Sequence, residues 1–337
     1  IQDEDALVSD MVILAIGVTP DTALAKNAGL KLGIKGSIVV NEKMETSVPD
    51  IYAVGDAVQV RHYVTGTDSL ISLAGPANKQ GRIAADNICG VESTFPGSMG
   101  SSVIKIFDMT VATTGINEKT AAMDGIEIEK IVLSPASHAS YYPGANAMVM
   151  KVICDKITHK LLGAQIVGYD GVDKRIDVLA TAIHCKMSGP DLKELDLAYA
   201  PPYSSAKDPV NMAGFMFENL FSGIVKQFYY EDIPALRDSG NVTLLDTRTP
   251  EEYSEGHAEG FISIPLDELR ERIEEIPVGK PIYVMCQSGL RSYIACRILT
   301  QNGFDCYNFS GGYSFYSSRM NDEILAKETY PCGMIKN

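Results

Sequence analysis

The order of apolar and polar positions divides the chain into regions with different predicted structures. In roughly the first 95 residues, short apolar runs alternate with polar turns. Residues 11–18 and 51–54 are continuous apolar runs that stop at Gly or Pro, which predicts buried strands. Residues 74–89 follow a helical pattern with a proline near the first turn. We therefore expect residues 1–95 to form an α/β region.

The next region, residues 96–223, places strands before helices. Strand-type patterns cover residues 102–107, 110–115, 126–133, 147–154 and 161–167. A helical pattern runs from residue 173 to about 187 and is followed by a break at Gly189-Pro190. Strands followed by a helix predict an α+β domain. Residues 224–234 are interpreted as a linker into a further domain.

Composition and charge limit the functions that the chain can have. Its hydrophobic content of 45% and charged content of 21% are typical of a soluble globular protein. The net charge of −14 argues against binding to nucleic acid or to an anionic membrane surface. The seven cysteines include no Cys-x-x-Cys pair, which argues against a disulfide framework or a zinc site and fits a reducing cytoplasm. Because the chain begins with Ile1 and runs directly into an apolar pattern, we expect it to be part of a longer protein.

The clearest chemical signal is at Cys286. The β-prone residues 282–285 end at this cysteine, a short turn containing Gly follows, and a helical pattern opens at Ser292. A cysteine at the end of a strand and the start of a helix lies among backbone N–H groups and near the positive end of the helix dipole. Arg291 adds a positive charge, so the thiolate is favoured and Cys286 is a candidate nucleophile. The alternative is a buried packing cysteine.

The sequence around Cys286 resembles the rhodanese (sulfurtransferase) family. The matching motifs are, in order, Leu244-Leu245-Asp246-Thr247-Arg248, Glu252-Tyr253, Gly256-His257, Ile264-Pro265, the Cys-x4-Arg spacing of Cys286 and Arg291, and Gly311-Gly312-Tyr313. Protein tyrosine phosphatases use the longer Cys-x5-Arg spacing, because their loop must hold a phosphate. The resemblance implies an α/β rhodanese domain over residues 235–322, a tail over 323–337, and a persulfide carried on Cys286 beside Arg291.

A second signal is the Gly55-Asp56 pair, which follows a short apolar run. Alone it is weak, and a solvated turn is the ordinary interpretation. Together with the run Ala15-Ile16-Gly17-Val18-Thr19-Pro20 it resembles the pyridine nucleotide-disulfide oxidoreductase family. That resemblance implies that residues 1–95 are part of an FAD- and NAD(P)H-binding region and that Asp56 binds the ribityl chain of FAD. It also implies that the helix over residues 74–89 packs on the flavin, and the cofactor-binding candidates are then Gly55, Asp56, Ala74, Ala77 and Asn78.

Residues 197–211 narrow the resemblance to coenzyme A-disulfide reductases and their rhodanese-fused relatives, which include CoA-persulfide reductases. Residues 168–175 support this match. It implies that residues 96–223 form a homodimerisation domain whose tyrosines reach the active site of the partner. The catalytic candidates beside Cys286 and Arg291 are Tyr141, Tyr142, Tyr199 and Tyr203, with interface packing as the alternative role of each.

The resemblance implies a reductase that uses FAD and NAD(P)H to cleave a CoA disulfide or CoA persulfide and that is joined to a sulfane-sulfur carrier. The alternative is a rhodanese-type sulfurtransferase or persulfide carrier in which the flavin half is only a scaffold. The sequence contains no Gly-x-Gly-x-x-Gly, and none of its cysteines matches the redox cysteine of the family. We interpret Cys89, Cys154 and Cys185 as core residues. For Cys296, Cys306 and Cys332 we expect a packing role, with the role of a resolving thiol as the alternative.

Overall fold

The computed structural model describes residues 10–328, which form two compact units that divide between Ser98 and Met99. The elements of the first unit are α1 (Ala23–Asn27), β1 (Ile38–Val39), β2 (Val58–Arg61), β3 (Asp68–Ser69) and α2 (Ala74–Ile88). Strand β2 is the middle strand of a sheet and is parallel to β1 and antiparallel to β3. Val58 and Val60 on β2 pack with Ile83 on α2 in a small core. The predicted helix over residues 74–89 is therefore confirmed, and one face of it is buried.

Two predicted strands of the first unit do not form. Residues 11–18 are not in a strand, and their large side chains are exposed, Ile16 to 86%. Residues 51–54 make only an isolated bridge, between Tyr52 and Glu45, while Ile51 and Val54 lie at the surface. These predictions are wrong because a strand needs a neighbouring strand to bond its backbone, and an apolar pattern does not supply that neighbour.

The second unit begins with an antiparallel sheet. Its elements are β4 (Ser102–Ile106), β5 (Met109–Gly115), α3 (Glu118–Met123), β6 (Ile128–Leu133), β7 (Met148–Asp155), β8 (Leu161–Gly168), α4 (Val172–His184) and α5 (Pro209–Phe221). The strand order is β4-β5-β8-β7-β6. Helix α4 packs on β5 and β8, and Met150, Ile166 and Leu179 are fully buried. The predicted α+β domain is confirmed in its strands and in α4, whereas α5 is an addition that the pattern analysis does not predict.

A parallel α/β domain follows. Its elements are β9 (Lys226–Phe228), α6 (Ile233–Ser239), β10 (Thr243–Asp246), α7 (Pro250–Glu255), β11 (Ile262–Ser263), β12 (Ile282–Met285), α8 (Leu290–Gln301), β13 (Cys306–Phe309) and α9 (Gly312–Glu328). The sheet order is β11-β10-β12-β13-β9, and every pair is parallel. Apolar cores lie on both faces, as parallel sheets require. Strand β9 lies within the segment interpreted as a linker. None of the helices in residues 10–328 is long and apolar enough to cross a membrane.

The parallel α/β domain is fixed to strand β6 of the antiparallel sheet. The backbone N–H of Val132 donates to Ser310 Oγ over 2.8 Å, and Ser134 Oγ donates to the Gly311 carbonyl over 2.8 Å. The Tyr229 hydroxyl donates to Glu129 and to the Lys130 carbonyl over 3.0 and 2.9 Å. Since Ser310 and Gly311 directly follow β13, this attachment is made close to the loops at the carboxyl ends of the parallel strands.

Candidate functional site

Cys286 lies where the sequence predicts it, directly after β12 and before α8. Its side chain is buried, and two donors surround its sulfur: the Gly289 N–H at 3.1 Å and the Ser292 hydroxyl at 3.2 Å. Gly289 has a φ of +101° and is the N-cap of α8, a backbone conformation that favours glycine. Helix α8 begins at Leu290, two residues earlier than predicted, which places Ser292 in its first turn beside the sulfur. Such donors can stabilise negative charge on a sulfur atom.

The start of α9 holds the Cys286 loop in place. The Tyr313 N–H donates to the Cys286 carbonyl over 2.8 Å, and the Ser314 N–H donates to the Gln287 carbonyl over 3.1 Å. Gly312 has a φ of +71°, and a Cβ at this position would lie 2.5 Å from the Gln287 carbonyl oxygen. Glycine at 312 therefore allows the close approach of the two segments, which accounts for the Gly-Gly-Tyr motif in physical terms.

Arg291 is held by Glu252. Its Nη1 and Nη2 each donate to a carboxylate oxygen of Glu252 over 2.7 Å, in a bidentate pair. The hydrogen bonds from Arg291 lower the pKa of Glu252 to about 2, and the same contact raises the pKa of Arg291. Glu252 also completes a capping box with Thr249 at the start of α7. The positive charge of Arg291 is thus largely compensated by the carboxylate of Glu252 and does not act on the sulfur alone.

A second ion pair lies next to the Cys286 loop. Arg248 and Asp246 are both almost fully buried and are joined by three contacts of 2.9 to 3.1 Å. The Arg248 guanidinium also donates to the Gly256 carbonyl over 2.7 Å and stacks 3.8 Å from the centre of the Tyr313 ring. A pocket of about 340 Å³ opens above it, and its lining includes Gln287 next to the cysteine.

The structure brings together two of the four candidate tyrosines. The hydroxyls of Tyr141 and Tyr199 are 2.9 Å apart, and this hydrogen bond raises the pKa of Tyr199. Tyr142 stands apart from this pair, with its ring in edge contact with His138. The side chains of Tyr141, Tyr199 and Tyr203 are exposed by 76%, 46% and 72%, so their polar ends are available to a ligand or to another subunit.

A buried arginine holds the segments that carry these tyrosines. Arg175 on α4 is 1% exposed and donates to the Ser137 carbonyl, to Ser204 Oγ and to Asp208 over 2.9, 3.2 and 3.0 Å. A Cβ at Gly171 would collide with the same guanidinium. Asp208 is further bonded to Ser204 Oγ at 2.6 Å. The network joins the segment before Tyr141 to the segment after Tyr203. Arg175, Ser204 and Asp208 lie in segments that the motifs identify, but the contacts between them join residues far apart in sequence and are not predicted by any motif.

The five candidate cofactor residues of the first unit fall on two adjacent segments. Gly55, with a φ of +86°, begins a short 3₁₀ turn, and its N–H donates to Gln80 of α2 over 2.7 Å. Asp56 is exposed on that turn. Ala74 and Asn78 are exposed and Ala77 half-buried in the first turns of α2, whose N-cap makes no side-chain hydrogen bond. An exposed carboxylate beside an uncapped helix start fits the polar groups of a dinucleotide.

Three family models match successive parts of the chain. The pyridine nucleotide-disulphide oxidoreductase model matches residues 1–81, and the dimerisation domain of the same family matches residues 101–209. The rhodanese-like domain model matches residues 230–319. The first two regions of this chain thus match models of pyridine nucleotide-disulphide oxidoreductases, and the third matches a rhodanese-like domain. The two resemblances identified from the motifs are therefore confirmed.

Several known proteins are similar to much of the chain. An NAD(P)H sulfur oxidoreductase (CoA-dependent) from Pyrococcus abyssi is 39% identical over 202 residues, which cover 60% of this chain and 45% of that protein. A coenzyme A disulfide reductase from Staphylococcus aureus is 36% identical over 207 residues, which cover 61% of this chain and 47% of that protein. The crystal structure of reduced Bacillus anthracis CoADR-RHD matches with a TM-score of 0.91 and 48% identity, over 95% of this chain and 58% of that one. The chain spans about half the length of the curated relatives it matches.

The remaining cysteines differ in their surroundings. In the rhodanese-like domain Cys296 and Cys306 are buried in the core, and burial raises the pKa of Cys306 to about 11. Cys154 is buried in the antiparallel sheet, as predicted. Cys89 and Cys185 are exposed, and their assignment to the core is wrong because each occupies a helix C-cap, beyond the buried face of its helix. Cys332 lies outside the described residues.

Proposed function

We propose that this chain is part of an FAD- and NAD(P)H-dependent reductase of CoA disulfide or CoA persulfide, fused to a rhodanese-like domain that carries sulfane sulfur on Cys286. The names of the relatives support this reading, because they include a CoA-dependent sulfur oxidoreductase and a CoA disulfide reductase. We propose domain limits of 1–95 and 96–223. Because β9 pairs with β13 and α9 ends at Glu328, we extend the rhodanese-like domain from the expected 235–322 to include residues 226–328. We also propose a cytoplasmic location, because a sulfur carrier of this kind needs its cysteine reduced.

The observation that carries the proposal is the environment of Cys286. Its sulfur lies at the start of α8 with the Gly289 N–H and the Ser292 hydroxyl directed at it. In the proposed reaction the Cys286 thiolate attacks the outer sulfur of a donor persulfide, a new S–S bond forms, and the donor leaves as a thiolate with the electron pair of the broken bond. The same donors then stabilise the anionic persulfide on Cys286.

The reductase half of the proposal assigns roles to residues of the other two regions. Asp56, Gly55 and the start of α2, with Ala74, Ala77 and Asn78, would hold FAD, and bound FAD would supply electron transfer from NAD(P)H to a disulfide. We propose that residues 96–223 form a symmetric homodimer, as the name of the dimerisation model suggests. The Tyr141–Tyr199 pair would then donate hydrogen bonds to a sulfur substrate, with Tyr142 and Tyr203 beside it.

The alternative is a sulfurtransferase or persulfide carrier in which the flavin half is a scaffold. It requires only the Cys286 loop and its supporting residues, which this chain contains. Two measurements on the longer protein distinguish the two proposals. The first is its flavin absorbance, and the second is its oxidation of NADH and NADPH with CoA disulfide or CoA persulfide as the substrate. The reductase proposal predicts oxidation that depends on the CoA substrate. A flavin-free protein that still transfers sulfur to cyanide would instead support the alternative.

A further inference from the structure

The charges around Cys286 are balanced in pairs. Arg291, the arginine of the Cys-x4-Arg motif, gives both of its terminal nitrogens to Glu252. Arg248, the other cation of this site, is committed to Asp246. Each guanidinium therefore meets a carboxylate in bidentate or near-bidentate geometry, and neither presents an unshared positive charge to an incoming donor.

The pocket next to the Cys286 loop carries a further negative charge. The pocket beside the loop is lined by Arg248, Glu252, Glu255, Gly256, Gln287 and Tyr313. Glu255 is exposed there, and within residues 10–328 the structure gives its carboxylate no cationic partner. With the two ion pairs neutral as units, the carboxylate of Glu255 leaves the pocket mouth with a net charge near −1. An anionic donor approaches this mouth against that charge.

We propose that Glu252, by pairing with Arg291, makes the rhodanese-like site select persulfides on carriers that are uncharged near the sulfur and reject small dianionic donors such as thiosulfate. This inference rests on the proposed role of Cys286 as the sulfur carrier. A persulfide brings at most one negative charge, on the atom that is transferred, and its carrier leaves as a thiol or thiolate. Thiosulfate brings two charges, and after attack on its outer sulfur it must leave as sulfite.

The size of the effect follows from Coulomb's law. A unit charge and a dianion about 8 Å apart interact by roughly 1 kcal/mol in water-like surroundings, which is about a fivefold change in rate constant. The interaction is screened by salt over a Debye length of about 8 Å at physiological ionic strength. Discrimination between the two donors should therefore be largest at low salt and should shrink as salt is added.

Glu252→Gln is the informative variant. A capping box accepts Gln in place of Glu at this position, so α7 keeps its N-terminal bonds while Arg291 loses its counter-charge. Glu251→Gln is the matched control, since Glu251 is exposed on the same helix and lies outside the pocket lining. The full chain is loaded with thiosulfate or with the persulfide of mercaptoethanol, and transfer to cyanide is measured at low and high salt.

We expect Glu252→Gln to raise the kcat/KM for thiosulfate, relative to that for the persulfide, by about twofold for an anionic persulfide and about fivefold for a neutral one, at low salt. The Glu251→Gln control should keep the wild-type ratio. An unchanged ratio in Glu252→Gln, or an equal rise in both variants, would overturn the inference. Glu255→Gln leaves the Glu252–Arg291 pair intact and should raise the ratio of the two kcat/KM values by less than Glu252→Gln does. If Glu252→Gln does not fold, an unchanged ratio in Glu255→Gln would overturn the inference. Absence of transfer from both donors in the wild-type chain would count against the Cys286 proposal itself.

Discussion

At the scale of single residues, the site consists of a cysteine predicted from sequence and partners that only the fold reveals. Cys286 and Arg291 are separated by a motif spacing and could be found by reading the chain. Glu252 lies 39 residues before Arg291, so the bidentate pair between them is a tertiary contact that no local pattern indicates. Ser292 was placed at a helix start, but its contact with the sulfur depends on α8 beginning at Leu290.

The ion pair of Glu252 predicts how stability depends on pH. Its pKa in the folded chain is lowered to about 2 from an ordinary value of 4.5, because Arg291 donates hydrogen bonds to the carboxylate. The stabilisation is therefore fully present above pH 4.5 and is lost as the pH falls towards 2. Urea midpoints measured from neutral pH down to about pH 3 should fall more steeply for the wild-type chain than for Glu252→Gln. Parallel curves for the two proteins would show that the pair does not couple to folding.

At the scale of elements, the pattern of apolar positions predicts best where a strand has a neighbouring strand to pair with. The strands of the antiparallel sheet alternate or run apolar, and their bounds agree with prediction to within about two residues. Residues 11–18 carry as strong a pattern, yet their side chains are exposed and they form no strand. The difference is physical: a strand is stabilised by backbone bonds to its neighbours, and those neighbours are not encoded in the strand itself.

The loops that carry the candidate tyrosines depend on Arg175 and Asp208. Removing one partner of a buried ion pair leaves the other charge uncompensated, which costs about 3–5 kcal/mol. We expect Asp208→Ala and Arg175→Met each to destabilise the chain in urea unfolding by about this much, and the double variant by clearly less than the sum of the two. Asp208→Asn is the control for the helix cap, because an amide oxygen can still accept the hydrogen bond from the Val210 N–H. Additive effects of the two single changes would contradict a coupled network.

At the scale of the whole molecule, the chain combines a rhodanese-like match with matches to two oxidoreductase models. The motifs were enough to identify both families, and the order of the domains followed from the order of the motifs. Contacts between domains could not be predicted from the sequence, because the hydrogen bonds of Val132 and Ser134 to the segment after β13 join residues 178 and 177 positions apart. The roles of the tyrosines and of the cofactor residues stay predictions.

The 337-residue chain should bind FAD weakly or not at all. It has Asp56 and the start of α2 but no Gly-x-Gly-x-x-Gly, whose loop amides and helix start provide much of the affinity for a pyrophosphate. Equilibrium dialysis against FAD checks this, with the longer protein as the positive control. A yellow protein that keeps its flavin through gel filtration would show that these residues suffice.

The tyrosines of residues 96–223 should matter for turnover more than for assembly. The 337-residue chain should sediment as a dimer at micromolar concentration. In the longer enzyme, Tyr199→Phe should lower turnover because it removes the hydroxyl that is bonded to Tyr141. Tyr203→Phe should also lower turnover, because it removes the hydroxyl of an exposed side chain. Both variants should keep the dimer. A monomeric chain, or a loss of dimer that parallels the loss of turnover, would remove the basis for this role.

The most direct test of the account is sulfur transfer by the Cys286→Ser variant of this chain. A persulfide donor is supplied, the mass of the chain is measured before and after, and transfer to cyanide is followed as thiocyanate. We expect the wild-type chain to gain one sulfur atom on Cys286 and the variant to gain none and transfer less than about a tenth as fast, with little change in thermal stability. Transfer by the variant at a tenth of the wild-type rate or more, a loss of only about 1.4 kcal/mol in the barrier, would contradict the assignment of Cys286 as the sulfur carrier.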